Sequence, residues 1–328
     1  MNFNIFDRIT TSNSKNAIKY LFECNNVAHQ SIIIYQLNQC LKNIEILTNL
    51  RNFIFENSNK ITSDGNCLDT CGTGGDGLKT LNISTSVAFL LASVGIPIAK
   101  HGNRAASSAS GSTDIINELK IICSNNAKIN LQQLKKNNFT YLNAPLFYPN
   151  LGLVAEVRKL IGKKNIFNFM GPTLNPMNAK YQLLGTTDEF SCGVIANILI
   201  KIKLKDFNVF YSKDGLDEIS IFAPTVFYSK KNNRLIKKEV HPNYFYKFLC
   251  HKPNFKQIIG KDPKYNTTRL LELFNGKKDS YRDMVVINAI YGMLTYNKKL
   301  KFEECYETLT NALDKGIAYS HLIKLQLK

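Results

Sequence analysis

The stretch Cys67-Leu68-Asp69-Thr70-Cys71-Gly72-Thr73-Gly74-Gly75-Asp76-Gly77 decides the fold. A short, mostly apolar run reaches a glycine-rich loop, which is how a buried strand hands over to a following helix. The expected strand covers Cys67–Cys71 and the expected helix runs from about Ser84 to Val94. Gly95 stops that helix, and Ile96–Ala99 reads as the next strand. The loop Lys100 to Ser112 then leads into a helix from about Thr113 to Leu119. Strand, loop, helix and strand in that order predict a parallel α/β unit.

Working outward, Thr140-Tyr141-Leu142 reads as a strand and Leu151–Ile161 as a helix. Further strands are expected at Tyr181–Gly185, Phe207–Tyr211 and Glu218–Ala223. Asp283–Tyr296 and Glu303–Leu325 read as helical. Residues 1 to about 64 show helical spacing, as in Ile32-Ile33-Ile34-Leu37-Leu41, and the turn Ser63-Asp64-Gly65-Asn66 closes them. The Lys-, Asn- and Pro-rich stretch Tyr228–Asn275 yields no clear pattern. The fold class expected is α/β: a largely parallel sheet flanked by helices, with a helical piece at the N-terminus.

With 328 residues, 44% hydrophobic and 20% charged, the chain has the composition of a globular protein with a well-buried core. No apolar run reaches the roughly 18 residues of a membrane span, and the N-terminus lacks a signal-peptide pattern, so the expected location is cytoplasmic. The eight cysteines lack metal-site spacing. Cys67 and Cys71 would lie on one face of their strand as buried free thiols. The net charge of +17 admits a nucleic-acid binder. The lysines are nevertheless dispersed in short pairs without a basic, aromatic-interleaved stripe, which reads as a solvated surface. Such a field would also draw in a small polyanionic substrate.

Three loops between Cys71 and Asp114 favour anions. Gly72, Gly74 and Gly75 let backbone amides approach a phosphate, although Asp76 beside them calls for a metal ion, a ribose hydroxyl or loop amides. The loop is neither a Walker loop nor a GxGxxG fingerprint. Asn82-Ile83-Ser84-Thr85 opens an apolar helix, where simple N-capping is the plainer reading. Lys100-His101-Gly102-Asn103-Arg104 continues into a run of Ser and Gly; the lysine can meet a phosphate as a point charge and the arginine in bidentate fashion. Asp214-Gly215-Leu216-Asp217-Glu218 adds carboxylates suited to Mg²⁺ beside a polyphosphate.

The order of Gly72-Thr73-Gly74-Gly75-Asp76, Asn82-Ile83-Ser84-Thr85, Lys100-His101-Gly102-Asn103-Arg104, Gly111-Ser112-Thr113-Asp114 and Asp214-Gly215-Leu216-Asp217-Glu218 resembles the anthranilate phosphoribosyltransferase family. Ile166-Phe167-Asn168-Phe169-Met170-Gly171-Pro172-Thr173-Leu174-Asn175-Pro176 is similar to that family as well. The resemblance implies transfer of a phosphoribosyl group from phosphoribosyl pyrophosphate to anthranilate, a step of tryptophan biosynthesis. It assigns the donor to Gly72, Gly75, Asp76, Thr80, Asn82, Ser84, Thr85, Lys100, Ser108 and Ser112. It assigns anthranilate to Gly72, Asn103 and Arg158. Two Mg²⁺ ions would be held, one by Ser84 with Glu218 and the other by Asp217 with Glu218. Catalysis would rest on positioning and electrostatics, chiefly from Lys100, Asp217 and Glu218.

The implied fold has a small helical domain, residues 1–66 joined by about 150–172, against an α/β domain of residues 67–149 and 173–328. A homodimer with its site at the hinge between domains is implied too. The departures gather on the acceptor side: Tyr148 where the family often has His, and Asn143 where an aromatic is common. Gly152 and Leu153 stand in place of a Lys-His pair, and Glu156 in place of a Pro. Two other readings are a nucleic-acid-binding relative on the same fold and a pyrimidine nucleoside phosphorylase. Neither explains three acidic residues, Asp76, Asp217 and Glu218, around a phosphate site.

Overall fold

A computed structural model describes residues 4–74, 77–104, 110–162 and 165–326. Three helices come first: α1 (Ser14–Glu23), α2 (Val27–Gln39) and α3 (Ile44–Glu56). The α/β part then begins with β1 (Leu68–Gly72), α4 (Ile83–Ser93), β2 (Ile98–Gly102), α5 (Ser112–Glu118), α6 (Ala127–Asn137) and β3 (Phe139–Asn143). Short helices α7 (Ala144–Phe147), α8 (Ala155–Ile161) and α9 (Ile166–Met170) follow. The chain returns to the sheet with β4 (Tyr181–Thr186), α10 (Glu189–Lys201), β5 (Asp206–Ser212), β6 (Thr225–Lys231) and β7 (Arg234–Val240). It ends in α11 (Pro263–Phe274), α12 (Ser280–Tyr296), α13 (Phe302–Asp314) and α14 (Ile317–Leu325).

The strands form one sheet in the order β3-β2-β1-β4-β5-β6-β7. The first five are mutually parallel, and β6 and β7 add an antiparallel hairpin. Alternate strand residues feed two cores, one on each face. Leu68, Ile98, Tyr141, Leu183 and Phe210 pack against α4, α5 and α11–α14. Cys67, Ala99, Leu142, Leu184 and Val209 pack with α1–α3, α8–α10 and the Phe147–Val154 segment. The N-terminal helices thus share a core with the mid-chain helices, Val154, Val157 and Ile166 among them.

The expected strand Glu218–Ala223 does not form. β5 already pairs with β6 on that side, and the side chain of Asn288 satisfies Ile219 instead: Oδ1 accepts from Ile219 N at 2.9 Å, and Nδ2 donates to its carbonyl at 2.9 Å. Ile219 and Ile221 are buried without a ladder. The expected Glu303–Leu325 helix is broken at Gly316, whose φ of 68° is left-handed. Leu151–Ile161 divides into a 3₁₀ turn over Pro149–Val154 and α8. The unread stretch 228–275 holds most of the β6–β7 hairpin, turning on Asn232 and Asn233 with φ of 50° and 57°. Lysine-rich α6, with few apolar positions, lay outside the sequence expectations.

Cys67 and Cys71 face the same core, and burial pushes both thiols up, Cys67 to about 12. Among the described residues no helix is long and apolar enough to cross a membrane.

Candidate active site

Connections leave β1 toward β2 on one side, while β4 lies on the other, so the carboxyl ends of β1 and β4 flank the point where strand order reverses. In such sheets a ligand crevice opens there. Gly72 ends β1, and Thr73 N donates to Gly185 O of β4 at 2.9 Å. Asp217 enters this gap from the loop after β5: its Oδ2 accepts from Gly74 N at 2.8 Å. The fit leaves no room for side chains on the strand ends. A Cβ at Gly72 would strike Asp217 Oδ2, and one at Gly185 would strike the Asp217 carbonyl.

Glu218 meets the start of α4, where its Oε1 accepts from Ser84 N at 3.1 Å. Asn82 precedes the helix but does not cap it. Its Nδ2 donates to Ser110 O at 3.0 Å and its Oδ1 accepts from Asn266 Nδ2 at 3.0 Å, tying the third loop and α11 to the site. The positive end of α4 therefore faces Glu218 and the cavity. Lys100, buried at 2% exposure, sends Nζ to Thr70 O at 2.5 Å and to Ser84 Oγ at 3.3 Å. Burial lowers its pKa, against the opposing pull of Asp69, Cys71, Glu218 and Asp217.

Gly72, Thr80, Asn82, Ser84, Thr85, Lys100, Asn103, Ser112, Asp217 and Glu218 line one cavity of about 360 Å³. Gly75, Asp76 and Ser108 lie outside the described residues. Arg158 is not in the lining. Its guanidinium lies 5.1 Å from the Phe167 ring centroid, and among the described residues its buried Nε has no hydrogen-bond partner. Desolvation lowers its pKa. The helical layer reaches the cavity through Asn168 of α9, whose Oδ1 also accepts from Asn165 N at 2.9 Å. In the sequence Asn168 stood inside a recognised motif with no role attached.

On the acceptor side, Tyr148 is buried, with its hydroxyl on Leu174 O at 2.7 Å and its ring edge-on to His101. Gly152, Leu153 and Glu156 are exposed. Two buried titratable groups at the site carried no role in the sequence reading: Asp69, inside an apolar strand, and His101, quoted only as part of a motif. Asp69 Oδ1 accepts from His101 N at 2.9 Å, while Oδ2, with Asn175 and Gln182 nearby, makes no well-formed hydrogen bond among the described residues. Burial pushes Asp69 up to about 6, and burial with Lys100 nearby pushes His101 down to about 3.

Among the described residues no three His, Cys, Asp or Glu side chains gather as a self-sufficient metal cluster. Two carboxylates and a hydroxyl, Asp217, Glu218 and Ser84, offer hard oxygens of the kind that could hold Mg²⁺ together with water and substrate oxygens. The arrangement suits an anionic group held by amides, a buried cation and carboxylate-bound metal.

The glycosyl transferase family a/b domain matches residues 64–319. The anthranilate phosphoribosyltransferase of Pelagibacter ubique is 35% identical over 274 residues, covering 84% of this chain and 82% of its own length. That of Caldanaerobacter subterraneus is 32% identical over 285 residues, 87% and 83% of the two chains. Among solved structures, anthranilate phosphoribosyltransferase from Thermus thermophilus aligns with a TM-score of 0.87 and 23% identity over 97% of this chain and 95% of its own. The Saccharomyces cerevisiae enzyme, solved in complex with PRPP and Mg, gives 0.82 and 22% over 95% and 91%. The chain belongs to the anthranilate phosphoribosyltransferase family.

Proposed function

We propose that this protein transfers the phosphoribosyl group of phosphoribosyl pyrophosphate to the amino group of anthranilate, giving N-(5-phosphoribosyl)anthranilate and pyrophosphate for tryptophan biosynthesis. The observation that carries the reading is the pair of bonds Gly74 N–Asp217 and Ser84 N–Glu218, which tether two carboxylates beside buried Lys100. A phosphate-only or nucleic-acid site has no use for acidic groups held there, whereas a metal-bound pyrophosphate requires them. We assign the donor to Gly72, Gly75, Asp76, Thr80, Asn82, Ser84, Thr85, Lys100, Ser108 and Ser112, and anthranilate to Gly72, Asn103 and Arg158. Two Mg²⁺ sites follow, Ser84 with Glu218 and Asp217 with Glu218. The shared core of α1–α3 with α8 and α9 supports a helical domain of residues 1–66 and about 150–172. The reading also carries a cytoplasmic homodimer.

Chemically, Mg²⁺ when bound would neutralise the leaving pyrophosphate. Lys100 adds a positive charge that needs no reorganisation, being held by Thr70 and Ser84. The α4 amides and the glycine loop orient the donor so that its anomeric carbon faces the acceptor. Arg158, whose buried Nε has no hydrogen-bond partner among the described residues, would match the carboxylate of anthranilate in bidentate fashion. The arylamine sheds its proton readily once bonded to carbon, so no strong general base is needed.

The test is fluorimetric. Adding phosphoribosyl pyrophosphate should deplete anthranilate fluorescence only with Mg²⁺ present, and Asp217→Asn combined with Glu218→Gln should abolish the loss. In the same assay Arg158→Ala should raise the anthranilate KM at least tenfold with little change for the donor. Absence of turnover by the wild-type protein, with tight salt-sensitive DNA binding, would overturn the reading.

A further inference from the structure

Four contacts run in a line from Asn103 and Ser112 in the cavity lining to Asn143 at the end of β3. Ser112 Oγ lies 3.2 Å from the Asn103 carbonyl oxygen and 2.9 Å from the Tyr141 hydroxyl. That hydroxyl is 2.7 Å from Thr113 Oγ1, which is 3.3 Å from the Asn143 side-chain amide. The line is tightly enclosed: Tyr141 is fully buried, and a Cβ on Gly102 would strike Ser112 Oγ and stand 2.6 Å from the Tyr141 hydroxyl.

The hydrogens do not balance if Asn143 presents its oxygen. Ser112, Thr113 and Tyr141 bring one hydrogen each, the Asn103 carbonyl and Asn143 Oδ1 bring none, and the contacts number four. One contact would then set lone pair against lone pair, leaving a buried oxygen desolvated and unpaired. The two ends of an asparagine amide are nearly identical in size. Among the described residues the Asn143 side chain makes no other hydrogen bond, so rotating the amide sacrifices nothing. Its Nδ2 then supplies the fourth hydrogen, and every contact closes in one direction. Nδ2 donates to Thr113, Thr113 to Tyr141, Tyr141 to Ser112, and Ser112 to the Asn103 carbonyl. Burial also raises the Tyr141 pKa, so the phenol keeps its hydrogen.

We propose that Tyr141 is a positioning residue, the middle of a one-way hydrogen-bond chain headed by Asn143, which turns the Ser112 hydroxyl hydrogen outward. With Tyr141 donating to it, Ser112 spends a lone pair on the strand side and keeps its hydrogen for the cavity. It gives that hydrogen to Asn103 in the free protein and to a phosphate oxygen of the bound donor. The opposite direction would consume the Ser112 hydrogen on Tyr141 and face the phosphate with lone pairs alone. The proposal rests on Ser112 as a donor contact, and it links the acceptor-side Asn143 to the donor site.

Tyr141→Phe removes the link and little else. It should raise the phosphoribosyl pyrophosphate KM about 3- to 10-fold, the size of one hydrogen bond, with kcat within twofold and the anthranilate KM unchanged. An unchanged donor KM would overturn the proposal. Neutron diffraction from deuterium-exchanged crystals of the unliganded wild-type protein should place an Asn143 deuteron toward Thr113 and the Tyr141 deuteron toward Ser112. A Ser112 deuteron pointing at Tyr141 would overturn the chain's direction whatever the enzyme turns over. Failure of wild-type turnover would instead count against the functional reading.

Discussion

Asp69 and His101 are neighbours beneath the site, one hydrogen-bonded to the other's backbone, and the same desolvation moves their stability contributions in opposite directions. Asp69 has its folded pKa raised from 3.8 to about 6, so its contribution is fully present below about 3.8 and is lost as pH rises through about 6. His101, lowered from 6.5 to about 3, contributes above 6.5 and loses that contribution as pH falls toward 3. The overall pH curve mixes the two, so a variant must separate them. Asp69→Asn should gain stability relative to wild type between about pH 4 and about pH 7, by up to about 3 kcal/mol at roughly 1.36 kcal/mol per pKa unit. Denaturant unfolding of both proteins at the two pH values measures this, and an identical difference at both would refute it. At this scale the sequence was most legible where residues are small or charged at strand ends, as with Gly72, Lys100, Asp217 and Glu218. It was silent on Asp69 and Tyr141, polar groups inside apolar strands, whose significance arises only from what lies opposite them.

The ends of β1 and β4 form a socket around Asp217, and the two glycines in it differ in what they guard. At Gly72 the obstruction is the Asp217 carboxylate, which can swing away; at Gly185 it is the Asp217 backbone carbonyl, which cannot do so without moving the loop. Gly72→Ala should therefore fold with a nearly unchanged melting temperature yet lose at least tenfold in Mg²⁺-dependent kcat/KM. Gly185→Ala should lower the melting temperature by several degrees as well. Equal melting temperatures for the two variants would contradict this account. Most helices and the parallel strands were readable from apolar runs punctuated by glycine. The run Ile219–Ile221 misled because Asn288, on a distant helix, supplies the hydrogen bonds that a strand neighbour would have given. The β6–β7 hairpin was hidden by its exposed Lys237 and Lys238, which obscure strand alternation.

For the molecule as a whole, 42 basic against 25 acidic residues give +17, while side chains of both signs line the described cavity. Dispersed lysines act through the long-range field, which salt screens over about 10 Å at 0.1 M. Phosphoribosyl pyrophosphate, with several charges, should therefore show a KM that rises severalfold between about 50 and about 500 mM salt, while singly charged anthranilate responds less. Steady-state kinetics across that range would refute the idea if both constants stayed flat. Composition supplied the charge; sheet order and the shared core of the N-terminal and mid-chain helices depend on contacts between residues far apart in sequence.

The bond from Gly74 to Asp217 joins residues separated by 143 positions. Loop closure over such a distance comes late in folding, after local helices and neighbouring strands have formed. A nascent chain that stops before Asp217 lacks both carboxylates that complete the centre, whatever sheet it has already built. Donor recognition is thus a property of the finished molecule, and on refolding it should recover after the helical signal has returned.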